Sequence, residues 1–277
     1  MSWTLSSESL IRLTTFVAVF AVIALWQAVR PFRRQEAGQV WRWLWNLGLV
    51  AVGTLFERVL VPAGAIGAAW LAAERGWGLF NVLAVPPLMA AALSIVLLDL
   101  AIYVQHVLFH AVPVLWRLHM VHHVDLDFDV TTGLRFHPIE RVLSMLSRIV
   151  AVTVIGAPAT AVLAFEVILN ATAMFNHGNV TLPTRFDRLL RWIVVTPDMH
   201  RVHHSASRTE CNSNFGFNLP WWDRALGTYV EDPAAGQAGL TVGIGHVREP
   251  HQTLAWLLAL PFSAGGGAYP FGRRQGS

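Results

Sequence analysis

The sequence predicts an all-α integral-membrane protein: a helical bundle of about three spans plus a helical hairpin, with a His-rich helical cap on the cytosolic side. Three observations lead to this fold class. Hydrophobic residues make up 54% of the 277 residues and charged residues only 13%, whereas a soluble domain carries about 25% charged residues. Long apolar runs recur in the first half of the chain. Ten of the twelve histidines lie between positions 106 and 204.

Three apolar runs in the first half predict membrane spans. The run 11–29 is long enough to cross a hydrocarbon core of about 30 Å. It ends in arginines rather than in a small-residue cleavage site, so we expect a permanent anchor. A second crossing is predicted over 43–61, followed by a turn and an interfacial helix over 65–74. The third crossing is predicted over 80–104, with a Pro-Pro pair near its start, where proline is best tolerated in a helix.

The second half of the chain holds one further long apolar segment, 149–175. Gly156 and Pro158 interrupt it, which predicts a helical hairpin that enters the membrane and returns. A single crossing would instead separate the earlier histidines from the later ones. The apolar segment 253–262 is too short to span a membrane. From Ser263 onward we expect a loose, Gly-rich tail.

The distribution of arginines predicts the orientation of the spans. Clusters of arginine follow the first and third runs, and few arginines lie on the opposite side. By the positive-inside rule the N-terminus faces out, and the chain after the third run begins in the cytoplasm. We expect a bacterial inner-membrane protein with its active site at the cytoplasmic face. Its predicted regions are an N-terminal anchor (1–79), a catalytic domain (80–230) and a C-terminal cap and tail (231–277).

Charge and cysteine content exclude several classes of protein. The net charge is +3, but the basic residues form no stripe, so no nucleic-acid partner is expected. Cys211 is the single cysteine, which rules out an internal disulfide and a thiolate metal cage. Any metal site must therefore use imidazole and carboxylate ligands.

Histidines at helical spacing predict a metal centre. Three clusters share a helical face each, because their members are three or four residues apart. The clusters are His106 and His110; His119, His122 and His123; and His200, His203 and His204. Eight imidazoles exceed what one tetrahedral zinc ion can take, which favours two ions. Buried imidazoles without metal or hydrogen bonds would also cost free energy in a membrane chain.

Nearby acids are expected to support the site rather than to bind metal. Asp99 lies on the third span before His106, and an intramembrane carboxylate needs a partner, so it is a candidate for orienting a ligating histidine. Asp198 precedes the third cluster and could do the same or cap a helix. The acids at 125, 127 and 129 have a calcium-loop spacing, but no glycine or terminal glutamate completes that pattern.

Several short motifs in order resemble the fatty acid hydroxylase / sterol desaturase superfamily, over about residues 80–230. The chain reads LLDLAIYVQHVLFHAVPVLWRLHMVHH at 97–123, DVTTGLRFHPIE at 129–140, NHGNV at 176–180, TPDMHRVHHS at 196–205 and NFGFNLPWWDRALGTY at 214–229. The resemblance, to a bacterial-type member, implies a di-iron centre bound by histidines, activation of O₂ and hydroxylation of a lipid. It adds His177 as a further ligand and His137 as either a ligand or an outer hydrogen-bonding partner.

Other functions remain open at this point. A membrane acyl desaturase would use similar histidine boxes, although only eight residues separate His110 from His119, and a longer stretch is typical of that class. A non-catalytic metal-binding or transport protein would instead place histidines or acids along several spans. A zinc hydrolase is disfavoured because the HxxHH motifs lack the glutamate of HExxH.

Cofactor and partner expectations follow from the resemblance. The cofactor is expected to be two iron ions, with zinc able to replace iron in recombinant material, since imidazole accepts both. The chain has no dinucleotide fingerprint, no haem attachment motif and no cysteine set for an iron–sulfur cluster, so a separate reductase, ferredoxin or cytochrome should donate electrons. Sterols, fatty acyl chains, carotenoids and related lipids are all compatible substrates.

Overall fold

Helices supply the regular structure of residues 5–35 and 38–263, which are the residues that the computed structural model describes. The first eight helices are α1 (Leu5–Val29), α2 (Gln39–Leu60), α3 (Gly64–Arg75), α4 (Leu79–Val82, a single turn), α5 (Pro87–Ala111), α6 (Pro113–His123), α7 (Pro138–Ile155) and α8 (Ala159–Asn176). Short helices follow: α9 (Thr184–Leu190), α10 (Pro197–His203), α11 (Arg208–Cys211), α12 (Trp221–Leu226), α13 (Gly236–Gly239) and α14 (Leu254–Ala259). No strand forms in this part of the chain.

Four stretches of the described residues are long and apolar enough to cross a membrane: Glu8–Val29, Gln39–Val82, Pro87–Ala111 and Ala159–Asn176. On α1, Leu13, Val22 and Leu25 are each more than 60% exposed, as expected of side chains solvated by lipid. The predicted membrane helical bundle is therefore confirmed. The predicted tail beyond Ser263 lies outside the described residues.

The helix α5, which corresponds to the third predicted span, begins later than the sequence pattern predicts. It starts at Pro87 rather than at residue 80, because proline cannot donate an intrahelical hydrogen bond and is accommodated at the first helical position. The helix then continues to Ala111, seven residues beyond the predicted end of the span. This extension carries His106 and His110 on its last turns.

The segment predicted as a membrane hairpin folds as α7 and α8, joined at Gly156, and of these two helices α8 is long and apolar enough to cross a membrane. This glycine has φ +74° and ends α7, a backbone conformation that favours glycine. The turn also lies close to Gly78, where an added Cβ would meet the backbone of Gly156 within 2.4 Å. Two glycines in contact therefore let the start of α4 approach the hairpin turn.

The helix α5 occupies the centre of the bundle. It packs against α6, α7 and α8, while α3 also packs on both α7 and α8. The core between these helices includes Leu98, Ile102, Met145, Val152 and Phe165. Outside it, α1 contacts α8 and α2 contacts α7. One end of α5 therefore lies among elements that contribute the remaining histidines.

The loop between α6 and α7 is fixed by buried ion pairs with the start of α2. Arg42 binds the carboxylates of Asp125, at 2.9 Å, and Asp129. The side chain of Arg135 is 1% exposed and donates to Val121 O at 2.7 Å and to Asn46 Oδ1 at 3.1 Å. Because removing one partner of a buried ion pair costs about 3–5 kcal/mol, these contacts hold the loop rigidly. The aspartates that resemble a calcium loop are thus engaged by arginine.

Candidate metal centre

Two histidines of α5 meet two histidines of α6 because α6 folds back along α5. A short break at Val112, with Pro113 opening the new helix, reverses the chain between them. The reversal brings His106 Nε2 to 3.1 Å from His119 Nε2, and His110 Nε2 to 3.1 Å from His123 Nε2. Because each helix carries its two histidines four residues apart, on one face, the two pairs of imidazoles face each other.

The structure brings nine histidines together in two buried groups. The ligand atoms within each group all lie within 4.8 Å of one another. The five-histidine group consists of His106, His110, His119, His123 and His203, and the four-histidine group of His122, His177, His200 and His204. Each of the nine is at most 3% exposed. The third histidine cluster and His177 close the site from α10 and the end of α8.

The spacing between imidazoles fits coordination to a common ion. Neighbouring Nε2 atoms in both groups lie 3.1–3.2 Å apart. At metal–nitrogen bonds of about 2.0–2.1 Å, two ligands at right angles are about 3.0 Å apart and tetrahedral ones about 3.4 Å. The observed separations fall between these limits, as expected of imidazoles arranged around a cation.

Hydrogen bonds on the outer ring nitrogens fix which nitrogen carries the proton. His106 Nδ1 donates to Phe215 O, His177 Nδ1 to Ala173 O and His203 Nδ1 to Ser213 O, each at 2.7 Å. A carbonyl oxygen only accepts, so the inward Nε2 atoms of these neutral rings carry lone pairs. His177 Nε2 faces three other Nε2 atoms at 3.1–3.2 Å and could accept a hydrogen bond from one of them at a time. A cation between these rings would instead accept the lone pairs of all four Nε2 atoms at once.

Burial keeps these imidazoles neutral. It lowers the pKa of His119 to about 3 and the pKa of His177 to about 3. Desolvation, followed by the proximity of the other histidines, also lowers the pKa of His122, His200 and His204. Neutral imidazole is the form that binds metal, so the donor set fits a metal centre at neutral pH.

Glu140 is a site residue that the sequence reasoning missed. Its Oε1 lies 2.6 Å from His119 Nδ1, and its side chain is buried. Burial raises the pKa of this carboxyl to about 8, and a cation bound at the opposite nitrogen of His119 would favour the ionised form. Carboxylates commonly orient metal-binding histidines in this way. The signal was available: Glu140 stands in the quoted RFHPIE motif, one helical turn beyond His137.

His137 lies apart from the two histidine groups. Its ring caps the start of α7 by accepting a hydrogen bond from Ile139 N at 3.2 Å. Its other ring nitrogen lies 3.3 Å from Leu258 O. These contacts agree with an outer, structural position, because no ring nitrogen is left to reach the ligand groups.

The two predicted supporting aspartates contact other partners than histidine. Asp99 accepts hydrogen bonds from Trp222 Nε1 at 2.8 Å and from Leu219 N at 3.3 Å. Asp198 binds the buried guanidinium of Arg201 at 2.7 Å. Thr196, rather than Asp198, caps α10 by accepting from Met199 N.

Asp223 holds the loop that supports His106. Its two carboxylate oxygens accept from Phe215 N at 2.8 Å and from Gly216 N at 2.7 Å. The carbonyl of Phe215 in turn receives the proton of His106 Nδ1. Asp99 fastens the other end of the same loop through Leu219. Both aspartates therefore act on the histidines through the backbone of the 215–219 loop.

A cavity of about 190 Å³ adjoins the five-histidine group. His106 and His119 line one part of it. Apolar side chains line the wall beside them: Ile102, Phe109, Leu134, Phe136, Met145 and Phe217. Arginine and glutamate side chains line another part. The cavity thus has imidazoles and apolar side chains along one part and charged side chains along another.

Comparisons with known proteins agree with this geometry. The model of the fatty acid hydroxylase family matches residues 91–228. Ornithine lipid hydroxylase OlsE of Rhizobium tropici is 31% identical over 182 residues, which are 65% of this chain and 53% of that protein. Alkylglycerol monooxygenase of Xenopus tropicalis is 29% identical over 168 residues, 57% of this chain and 35% of that protein. Human cholesterol 25-hydroxylase is 28% identical over 139 residues, 48% of each chain.

The chain spans about half, or less, of the length of these curated relatives. No solved structure gives a significant match. The matched range contains all nine grouped histidines, and it also includes Glu140, Asp99 and Asp223. On this match, the chain belongs to the fatty acid hydroxylase family.

Proposed function

We propose that this chain is an O₂-dependent membrane monooxygenase that hydroxylates a C–H bond of a lipid at a centre of two iron ions. The observation that carries the proposal is the pair of buried histidine groups, of which the five-histidine group borders a cavity whose wall beside the histidines is apolar. Nine neutral imidazoles exceed the capacity of one tetrahedral ion, which supports two ions. Imidazole also binds zinc and copper, so the choice of iron rests on the family.

The chain's own residues have distinct tasks in this proposal. The five-histidine and four-histidine groups would each hold one ion, and the bound ions would supply the activation of O₂. Glu140 orients His119, and the carbonyls of Phe215 and Ser213 orient His106 and His203. Because these outer partners fix the rings before any ion binds, the site needs little reorganisation.

The cavity wall positions the lipid and excludes water. Phe136 stacks on His122 with ring centroids 4.5 Å apart, and Phe217 packs edge-on to His106 at 5.6 Å. Apolar walls of this kind leave few water molecules near a reactive centre, which limits side reactions. They also select an apolar part of the substrate as the part that reaches the histidines.

Relatives and sequence support the remaining parts of the proposal. The three relatives are named for hydroxylation or monooxygenation, of an ornithine lipid, an alkylglycerol and cholesterol. Electrons would come from a separate reductase, ferredoxin or cytochrome that docks on the cytoplasmic cap. The membrane would be the bacterial inner membrane, with the histidines towards the cytoplasmic side.

The test is turnover by the purified, metal-analysed protein supplied with O₂, a candidate lipid and an external source of two electrons, such as a ferredoxin with its reductase. We expect about two iron ions per chain, and O₂ uptake coupled to a lipid product that has gained one oxygen atom. A product that has lost two hydrogens without gaining oxygen would identify a desaturase. Metal content below one ion per chain in carefully prepared protein would contradict the two-ion centre.

A further inference from the structure

We infer that the lipid substrate carries an anionic oxygen group, a carboxylate or a phosphate, which Arg141 and Arg148 bind in the cavity away from the histidines. The inference rests on the proposed function and adds the substrate class to it. It starts from an unusual concentration of charge. Arg12, Glu57, Arg141, Arg148 and Glu166 all line the same cavity as His106 and His119. Charged side chains among membrane helices are expensive and mark functional sites.

Of the two arginines on α7, Arg141 directly follows Glu140, and Arg148 lies further from the histidines. Glu140 touches His119, whereas Arg148 follows eight residues later on the same helix. At a rise of 1.5 Å per residue, this separation is about 12 Å along the helix axis. One cavity thus has imidazoles near one end and guanidinium groups further along.

Each of these five charged side chains takes part in an ion pair between helices. Arg141 Nη2 binds Glu57 Oε2 at 2.9 Å, and Arg148 Nη1 lies 3.3 Å from Glu166 Oε1. Arg12 also contacts Glu166 and reaches Glu8 at 2.9 Å. These pairs link α1, α2, α7 and α8.

The pairs leave buried donors unused. The donors Arg141 Nε and Arg148 Nε are buried and have no hydrogen-bond partner. Glu166 Oε1, an acceptor, forms no hydrogen bond but lies in the ion pair with Arg148. Buried guanidinium nitrogens without partners are rare in folded proteins and require an explanation. A carboxylate or phosphate brought by the substrate would accept from both arginines, which is the chemistry that arginine recognises best.

The backbone makes room for one of these arginines. The side chain of Arg141 crosses α2 at Gly53, where an added Cβ would overlap Arg141 Cδ. Larger residues at position 53 would therefore displace the guanidinium without removing its charge. A second cavity, of about 290 Å³, shares Arg12, Arg141 and Glu166 and extends between α1, α2 and α8. Arg12, Arg141 and Glu166 thus line both cavities, whereas Arg148 lines the first cavity and not the second.

The experiment measures binding, not turnover, with four amphiphiles that share a dodecyl chain: dodecanoate, dodecyl phosphate, dodecanol and dodecyltrimethylammonium. Full-length protein in a neutral detergent is titrated calorimetrically below the concentrations at which the ligands form micelles. We expect at least one of the two anions to bind about tenfold tighter than the alcohol, because hydrogen bonds to charged groups are the stronger ones. The anion that binds more tightly, dodecanoate or dodecyl phosphate, indicates whether the arginines recognise a carboxylate or a phosphate on the substrate.

Variants assign the preference to the arginines. Arg148→Gln should reduce the anion affinity about tenfold and leave the alcohol unchanged, while Arg148→Lys should retain part of it. Gly53→Ala should weaken anion binding through Arg141. The matched control is Arg75→Gln, an exposed arginine on α3, which should bind all four ligands as the parent does. Metal content and melting temperature of each variant verify that it is folded.

Two results would overturn the inference: equal affinity for the anions and the alcohol, or an unchanged anion preference in Arg148→Gln. If hydroxylation and metal binding persisted in that case, the proposed function would stand without this substrate class. If the anions bound but no metal or hydroxylation were found, the arginine site would stand and the proposed function would fail.

Discussion

The two histidine groups differ in how firmly the protein holds them. In the five-histidine group, the Nδ1 atoms of His106, His119 and His203 are hydrogen-bonded to protein oxygens at 2.6–2.7 Å. In the four-histidine group, His177 has such a bond, at 2.7 Å, whereas Nδ1 of His122 and Nδ1 of His200 are buried without a partner. The imidazoles of one group are therefore oriented by the fold, whereas in the proposed centre the orientation of the other group would depend more on the ion itself.

This difference predicts that the two histidine groups, although their ligands are similar, differ in metal affinity and in distance from the substrate. Outer partners fix the orientation of a ring and raise its basicity as a ligand. The five-histidine group has them and also borders the cavity through His106 and His119. We therefore expect it to bind its ion more tightly and to stand closer to the substrate than the four-histidine group.

The largest expected effect is the loss of a histidine from either group. His203→Ala and His122→Ala should each abolish turnover and lower metal content, because each removes a donor from a ligand group. His177→Ala should behave like them. The expected loss exceeds the roughly 10–100-fold range of outer partners. Product analysis and elemental analysis provide the measurement, and full activity in His122→Ala or His203→Ala would remove the two-ion centre.

The comparison is tested directly by stepwise removal of metal. Dialysis against increasing chelator should release one ion before the other, with affinities about 10–100-fold apart, since the four-histidine group has fewer outer partners. Elemental analysis at each step gives the stoichiometry. The ion remaining at half occupancy should depend on His203 and not on His200. Simultaneous loss of both ions would show that the groups are equally held.

Glu140→Gln should weaken the five-histidine group specifically. The amide can no longer provide the negative charge that faces His119, so metal affinity or activity should fall about 10–100-fold. The exposed Glu74→Gln on α3 is the matched control and should leave both unchanged. Equal metal affinity and activity in Glu140→Gln and the parent would mean that the contact is not used.

The smallest expected effect concerns His137. His137→Ala should retain metal and measurable product and lose about 1 kcal/mol of stability, because the side chain caps α7. His246→Ala and His251→Ala should be close to the parent. Thermal unfolding together with elemental analysis separates these outcomes. A loss of metal comparable to that in His203→Ala would make His137 a ligand.

Sequence patterns were sufficient for the bundle and for the clustering of the histidines. Apolar runs of span length predict the long helices, and i,i+4 spacing predicts which imidazoles share a face. The start of α5 at Pro87 required knowledge of how the chain turns after α4, which hydropathy does not contain. Sequence patterns also do not reveal hydrogen bonds between distant segments. Nothing near Asp99 in the sequence indicates that its partners are Trp222 and Leu219, 120 or more residues away.

Glu140 shows the same limit at the metal centre. Its position in the first turn of α7 is typical of an acid that stabilises a helix N-terminus, so composition alone gave it no special role. Its contact with His119 arises from the packing of α6 on α7. Similarly, the sequence gives no sign that Arg141 and Arg148 face the cavity that the histidines line.

The origin of the ligands in distant segments has a consequence for biogenesis. Each histidine group includes residues of α10, and the four-histidine group also needs His177 after α8. During synthesis, neither group can be complete until the chain has been made beyond residue 203 and the α7–α8 hairpin has been inserted. If the proposed metal centre forms, the protein is therefore a metal-free membrane bundle when it is first made, and metal binding follows insertion. On the proposed function, iron limitation should accordingly leave inserted apoprotein in the membrane rather than prevent its insertion.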